Sequence, residues 1–504
     1  MNIFQTFQKA ATNHPKTVAL IERGRALTYE RLLHQINAEA SRYRQRGIRP
    51  GDRVLVFVPM SIDLYRTVLA LFKIGATAVF LDEWVSTERL RLCCKLADCR
   101  ALIGGWKVRL MAKWFPETRR IPIHLSPKAI ARTESPTESV VAEHPALITF
   151  TTGSTGTPKA ALRSHGFLRA QLAALQGEIE PRPEVVSMTT LPIVLLIQLA
   201  AGGTSVLPDF NPRRPDSLRP ARIWDQVERF GVQQLIGSPH FVKTLAQEAP
   251  ERTAGRIKEI VTGGAPVFPN DAAQLLRAFP QANIRIAYGS TEAEPISLID
   301  AVELANAEAA SHDYGVLVGQ PNDALDLRII SITPDPLNAD DTPLRDCAPG
   351  EVGEIVVAGP HVLRTYFNNE AGWRANKIPD GERLWHRTGD AGRLGADGQL
   401  YLVGRCAEIR VHDGVLHSPF LVENRLAQLP GVTMGTVVFD RDEPVVCVET
   451  AVRVGIERLK AELARLFPTI VRRVILERLP RDPRHHSKID YGRLRSMLGG
   501  SAKL

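Results

Sequence analysis

The sequence predicts an α/β protein: a large N-terminal domain of doubly wound α/β subdomains with a small β lobe, then a small α+β C-terminal domain. Three observations predict it. Apolar strands alternate with amphipathic helices through the first part of the chain. Short β runs between Gly, Pro and Asp turns replace that alternation from Gly315 to Gly404. Helix and strand then alternate again after Arg405. A chain of 504 residues is too long for one ordinary core, so several are expected.

The first unit runs from the amphipathic helix Tyr29 to Gly47, through the turn Arg49-Pro50-Gly51-Asp52, to the buried strand Arg53 to Val58. A helix from Ser61 to Gly75 and a strand from Ala78 to Leu81 complete it, and this order gives the strands parallel character. Similar units are expected at Ala221 to Ile236, Glu259 to Thr262 and Asp271 to Ala287. Leu325 to Ser331, Gly353 to Ala358 and Gln399 to Val403 are the strands of an antiparallel β lobe over about 315–404, with Pro334 to Pro349 a surface insertion in it. A domain boundary is expected at Gly404, dividing 1–404 from 405–504, the second part being long enough for its own core.

Composition narrows the class. Apolar residues at 44% and charged residues at 23% match ordinary globular usage, so neither disorder nor a fibre is indicated. The net charge of +8 is spread along the chain, and its densest basic stretch, Arg472 to Arg484, has no interleaved aromatics to stack bases, so no nucleic-acid partner is expected. Six cysteines lack both disulfide density and paired metal-ligand spacing, and Cys93, Cys94 and Cys99 read as small buried residues on a helix, Thr87 to Leu96. Without a leader-like N-terminus, a cytoplasmic protein is expected. The most apolar stretch, Leu191 to Gly203, is interrupted by Gln198 and shorter than the ~20 residues that span a bilayer. It reads as a buried helix rather than a transmembrane segment, with a lipid-facing patch and weak membrane association as the alternative.

Five clusters carry chemistry. In the first, the apolar run Leu147 to Phe150 enters Thr151, Thr152, Gly153, Ser154, Thr155, Gly156, Thr157, Pro158 and Lys159, with a helical stretch from about His165. Glycines let backbone amides approach an oxyanion, the hydroxyls add donors and Lys159 adds a cation. Pro158-Lys159-Ala160 replaces the Gly-Lys-Ser/Thr that a P-loop NTPase needs. The second, Tyr288-Gly289-Ser290-Thr291-Glu292, ends an apolar run at a strand end, where α/β sheets place ligand groups. The third is the glycine turn Gly263, Gly264, Ala265, Pro266. The fourth is Trp385-His-Arg-Thr-Gly-Asp390, followed by Gly404-Arg405. The fifth is Lys488, in the tail Arg484-His485-His486-Ser487-Lys488. Adjacent His485 and His486 side chains on an extended segment point apart, which argues against a metal site there.

Together these clusters resemble the signatures of the adenylate-forming superfamily of acyl-CoA synthetases, peptide-synthetase adenylation domains and luciferases, along nearly the whole chain; one departure is Ala160, where that family usually has Gly. The resemblance implies a mobile C-terminal domain and ATP with Mg²⁺ as cofactors. It implies that the loop Thr151 to Thr157 with Lys159 grips the departing phosphates. Tyr288 would stack on adenine beside Gly289 and Ser290, Thr291 would touch the α-phosphate, and Glu292 would bind the metal, a hard cation that prefers carboxylate and phosphate oxygens. Gly264, Ala265 and Pro266 would lie against adenine and the acyl pocket. Asp390 would hold both ribose hydroxyls, Arg405 would hold the nucleotide beside the hinge, and Lys488 would bridge the substrate carboxylate and the α-phosphate.

The activity so implied is attack of a small-molecule carboxylic acid on ATP to give an acyl-adenylate and pyrophosphate, then transfer to coenzyme A or to the phosphopantetheine thiol of a carrier protein. The family's hinge position is Ala407 here, where most relatives carry Asp or Lys. That Ala and the Asp-Pro-Arg-His-His-Ser-Lys ending resemble the olefin-pathway branch, whose members close a β-hydroxy acyl-adenylate to a β-lactone. Intramolecular closure is therefore the alternative, and a catalytically weak nucleotide- or acyl-binding paralogue is an alternative of another class. Leu191 to Gly203 matches the acyl-pocket helix, and its Ile, Val and Leu with small Ala200, Ala201, Gly202 and Gly203 favour a fatty or hydroxy-fatty acid over an amino acid.

Overall fold

Hydroxyl caps start the first two long helices where the sequence places them. Thr28 accepts a hydrogen bond from the Arg31 amide at the head of Tyr29–Gln45, and Ser61 accepts one from Leu64 at the head of Ile62–Lys73. Each cap satisfies an amide that has no partner inside its helix. These elements belong to a computed structural model that describes residues 1–81, 87–128, 134–151, 159–179, 181–210, 217–307, 314–341, 343–450, 455–481 and 489–500.

Two large sheets form the N-terminal part. One has six strands in the order Ile123–Leu125, Ala101–Gly104, Arg53–Phe57, Thr77–Phe80, Pro145–Thr151, Lys159–Ser164, parallel except for the last pair. The other has eight, in the order Ala293–Asp300, Asn283–Ser290, Glu259–Gly263, Gln234–Gly237, Val186–Thr189, Thr204–Leu207, Val18–Glu22, Arg25–Thr28, antiparallel only at its two outer pairs. Strands such as Thr204–Leu207 and Gln234–Gly237 are buried at every residue. Helices cover both faces, so such strands have no solvent side on which to alternate polar residues.

The expected β lobe is an antiparallel sheet ordered Val316–Gly319, Leu400–Arg405, Arg383–Leu394, Gly353–Ala358, Asp326–Ile330, with Lys377–Asp380 paired to Arg383–Leu394. After it, Val432–Asp440 and Glu443–Thr450 pair antiparallel, and Arg472–Leu476 adds in parallel. Leu459 and Leu463 of helix Ile456–Leu466 pack with Val446 and Val448 of this sheet, while Leu494 and Leu498 pack with Val438 and Val445. The α/β fold with a large N-terminal and a small C-terminal part is therefore the one expected.

Two local features differ from the sequence reading. A strand, Lys159–Ser164, intervenes between the hydroxyl loop and the helix His165–Ile179, because Ala160, Ala161 and Arg163 are buried and pair back onto Pro145–Thr151. The Trp385 to Asp390 motif itself lies inside the long strand Arg383–Leu394. Cys99 follows the helix Thr87–Ala97 instead of lying on it; it is buried, as are Cys93 and Cys94, and all six cysteines are free. Leu191 to Gly203 does form a helix, Pro192–Ala201, and among the described residues no helix is long and apolar enough to cross a membrane.

The strand Arg383–Leu394 is anchored by a buried ion pair. Arg387 and Glu354 meet at 2.6 Å, and the Arg387 guanidinium also donates to the carbonyls of Thr333 and Asp335 at the edge of the Pro334 insertion. Glu354 in turn accepts a bond from the Gly389 amide at 3.3 Å, next to Asp390. Removing one partner of such a pair strands a buried charge, so Glu354→Ala is expected to lower stability by about 3–5 kcal/mol in urea unfolding. A loss within error would show that the pair does not anchor the strand.

Candidate active site

Parallel strands deliver their last residues to one edge of a sheet, and here two adjacent strands do so side by side. Glu259–Gly263 leads into Gly264, Ala265 and Pro266, with Gly264 at φ +85°, a left-handed conformation that favours glycine. Its neighbour Asn283–Ser290 carries Tyr288, Gly289 and Ser290 and leads into Thr291 and Glu292. These residues, with Lys159, Asp390 and Arg405, line a single continuous cleft.

Asp390 is held from two directions. Across the β-lobe sheet its Cα partner is Arg405, whose guanidinium meets Oδ1 at 2.9 Å, and the Tyr288 hydroxyl donates to Oδ2 at 2.9 Å from the eight-stranded sheet. Burial, reinforced by the Asp390 charge, pushes the Tyr288 phenol well above its ordinary range and keeps it a donor. The Asp390 charge likewise strengthens the protonated form of Arg405. Arg405 is half exposed, so solvent screens its pull and geometry matters more here than ion-pair energy.

Glu292 is braced by residues absent from the sequence reading. Tyr366 donates to its carboxylate at 3.1 Å, and the Leu363 amide donates to its carbonyl at 2.7 Å. Lys377, fully buried, donates to the Leu363 carbonyl, and Lys159 donates to Asn376 Oδ1 at 2.8 Å. The ammonium groups of Lys159 and Lys377 both lie 5.8 Å from the Tyr366 ring centre. Arg163 donates to the Thr291 carbonyl at 2.9 Å. A sequence signal existed for Lys377, since a lysine directly before Ile378 at a strand start has to point inward or outward, but nothing in the pattern chooses between them.

Thr152, Gly153, Ser154, Thr155, Gly156, Thr157 and Lys488 lie outside the described residues. Thr151 closes the strand Pro145–Thr151 and pairs in register with Lys159, so the described legs of the hydroxyl loop are adjacent. Among the described residues no three His, Cys, Asp or Glu side chains cluster to hold a metal. A lone carboxylate such as Glu292 fits Mg²⁺, which is commonly held by one or two carboxylates together with substrate phosphates.

On the acyl side, Leu191, Ile193, Val194 and Leu196 meet Ile236 and Val261 in the same cleft. The small residues at the end of that helix do not line it: Ala200 faces a separate apolar recess, and a Cβ on Gly202 would lie 2.7 Å from the His14 ring. The smallness of Gly202 serves close packing against His14, at the end of the helix Phe4–Asn13, and that of Gly203 packing against Gln198.

A large cleft at the strand ends, with an anchored carboxylate on one side and an apolar wall on the other, is the layout of an AMP-forming, acid-activating ligase. The family model for AMP-binding enzymes matches residues 7–367, and the chain belongs to that family. It is 32% identical to an olefin beta-lactone synthetase of Stenotrophomonas maltophilia (strain K279a), over 95% of this chain and 92% of the relative. Its identity to a feruloyl-CoA synthase of an Amycolatopsis species is 27%, over 85% of this chain and 84% of the relative. In fold it superposes on ATP-bound MatB from Rhodopseudomonas palustris with a TM-score of 0.82 at 20% identity, covering 99% of both chains. ATP-dependent adenylation of an acid, with Mg²⁺, is the activity of the family.

Lys377 gives a pH test of the brace behind Glu292. Burial, with Lys159 adding to it and the Glu292 charge opposing, pushes its ammonium down to about 7. Its folded value lies below its unfolded one, so between about pH 7 and pH 10 the unfolded chain holds a proton that the folded chain has lost, and stability rises with pH there. Relative to Lys377→Met, the parent is expected to gain stability across that window in urea midpoints. A parallel pH course for both proteins would refute the burial of a neutral amine.

Proposed function

We propose that this enzyme adenylates a β-hydroxy fatty acid and closes the adenylate to a β-lactone. The observation that carries the reading is the similarity, over nearly the full length of both chains, to an enzyme named olefin beta-lactone synthetase. A second such relative, from Xanthomonas campestris pv. campestris, is 33% identical over 84% of this chain and 80% of its own. Ala407, at the family's hinge position, supports it.

In the first step a carboxylate oxygen attacks the α-phosphorus of ATP and pyrophosphate leaves. Asp390 receives the ribose hydroxyls: Oδ2 already accepts the Tyr288 hydroxyl's hydrogen bond, Oδ1 is ion-paired with Arg405, and both oxygens retain lone pairs for more. Because Tyr288 and Arg405 hold that carboxylate before substrate arrives, little reorganisation accompanies binding. The Tyr288 ring and the Gly264 to Pro266 turn flank adenine. Thr291, its carbonyl fixed by Arg163, addresses the α-phosphate. Lys159 and the loop from Thr151 to Thr157 take the pyrophosphate, and Glu292 holds Mg²⁺, which supplies charge neutralisation on the triphosphate. Lys488 bridges the attacking carboxylate and the α-phosphate.

In the second step the substrate's own hydroxyl oxygen attacks the acyl carbon, and AMP leaves with the electron pair of the broken C–O bond. The chain divides at Gly404 in this reading, and 405–504 turns about Ala407, which lies in the short 3₁₀ turn Cys406–Glu408 and lines the cleft. A second reading, transfer to the thiol of coenzyme A or of a carrier protein's phosphopantetheine arm, is favoured by the likeness to the feruloyl-CoA synthase.

Incubation with ATP and either a plain or a β-hydroxy fatty acid, with and without coenzyme A, separates the two. Thiol-independent loss of water from the hydroxy acid is the predicted product, and thioester formed only with coenzyme A would establish the second reading instead. For the first step, acid-dependent pyrophosphate exchange is expected to fall about 100-fold or more in Lys488→Ala. Asp390→Ala is expected to weaken ATP binding about tenfold or more by calorimetry, ~1.4 kcal/mol. Parental exchange or parental affinity in these variants would remove the corresponding role.

A further inference from the structure

A surface helix ordinarily turns its large apolar side chains inward, and one short helix of this protein does the reverse. The strand Ala101–Gly104 leads through Gly105 into the helix Trp106–Ala112. Its inner face is small: Ala112 is buried, and a Cβ on Gly104 would lie 2.7 Å from Val108 Cγ1, so Val108 packs onto the strand end. Its outer face carries Trp106 at 66% exposure and Leu110 at 52%, with Met111 at 43% beside them. The Lys113 amide donates to the Leu110 carbonyl at 3.1 Å and the Trp114 amide to the Met111 carbonyl at 2.9 Å, which continues the turn. Trp114, 80% exposed, comes four positions after Leu110 and so joins the same side. Of the fourteen large apolar side chains that stand exposed among the described residues, four fall between Trp106 and Trp114. Single exposed apolar residues are ordinary, but a cluster holding two tryptophans marks an interaction surface.

The charges woven through this surface indicate what covers it. Lys107, Lys113, Arg119 and Arg120 are exposed along the helix, the turn after it and the next short helix, Pro116–Arg119. Glu117, the one acid between Gly105 and Arg120, faces Arg91 at 3.9 Å. The Lys107 ammonium lies 5.5 Å from the Trp106 ring centre, so cation and indole stand at one level. Tryptophan interleaved with lysine and arginine suits the boundary between lipid headgroups and acyl chains: the indole spans the polar and apolar layers, and the cations meet lipid phosphates. Two copies of this face would set like charges against each other, which disfavours self-association. The position fits as well. Gly104 pairs in register with Phe57, and Phe57, Val58 and Met60 line the cleft, so the helix starts from a sheet edge that the cleft borders. The apolar helix Pro192–Ala201 cannot supply such a face, because its Val194, Leu195, Ile197 and Leu199 are buried.

We infer that Trp106, Leu110, Met111 and Trp114, ringed by Lys107, Lys113, Arg119 and Arg120, dock the enzyme on an anionic bilayer surface. Docking is peripheral and reversible. Two turns of helix bury too little apolar surface to anchor a protein alone, so insertion of the indoles and attraction to lipid phosphates act together, and salt weakens the second. The inference goes beyond the lactone reading and holds whichever acid is activated and whatever accepts the acyl group.

Flotation of the full-length protein with phosphatidylcholine vesicles, alone or with about one-third phosphatidylglycerol, tests it. The parent is expected to float with the anionic vesicles and to bind the neutral ones about tenfold less or weaker still. Trp106→Ser combined with Trp114→Ser is expected to lower partition onto anionic vesicles about tenfold or more, while acid-dependent pyrophosphate exchange in solution stays parental and shows that the variant is folded. Lys107→Glu combined with Lys113→Glu should lower anionic binding about tenfold or more and leave neutral binding unchanged. A parent that stays unbound beside anionic vesicles overturns the inference, and so does parental flotation of either double variant. A parent that sediments as a dimer, releases monomers when the two tryptophans are replaced and ignores vesicles would assign the face to a second copy and overturn it equally.

Discussion

The contact on which the site depends is the grip on the Asp390 carboxylate. One oxygen meets Arg405 from the next strand of the β lobe, and the other accepts from Tyr288 at the end of a strand in the large sheet. The grip on Asp390 ties these two sheets together at the cleft, as the Ser297 hydroxyl, donating to the Val318 carbonyl at 2.7 Å, ties them away from it. The buried Arg387 and Glu354 pair, through the Gly389 amide, sets the height of the same strand. The constraint is geometric more than energetic, since an exposed arginine contributes little stability but fixes where a carboxylate can point.

The same logic recurs on the opposite side of the cleft. Glu292, Thr291 and Lys159 each receive a hydrogen bond from, or donate one to, residues of other elements: Tyr366, Arg163 and Asn376. Lys377 stands behind them, its charge suppressed by burial and its amine committed to the Leu363 carbonyl. Charge in this region is gathered at the edge of the cleft, with a thin supporting shell of aromatic and amide groups. Such a shell reduces the reorganisation left to be done when substrate arrives.

Much of this was legible in the sequence, and the reasons differ by residue. Helices Tyr29–Gln45 and Ile62–Lys73 end within two residues of expectation because caps and apolar spacing both act locally. Tyr288, Glu292, Asp390 and Arg405 stand out as short patterns in the sequence, and all four line one cleft. Lys159–Ser164 is not marked in the sequence because its burial does not alternate strictly, Ala160 and Ala161 both being buried, and because it follows a loop whose Gly and Thr content dominates the local signal. Tyr366, Asn376 and Lys377 are single residues whose importance comes from partners far away in the chain, such as the 217-residue separation between Lys159 and Asn376. No periodicity encodes such a pairing.

The central claim is that the acid is activated through a covalent bond to AMP, and the fate of an oxygen atom tests it most directly. An acid labelled with ¹⁸O in its carboxylate is turned over with ATP, and the AMP is weighed. If the acyl-adenylate forms and is later opened at its acyl carbon, AMP carries one labelled oxygen away. Unlabelled AMP, or ADP as the nucleotide product, would contradict the account.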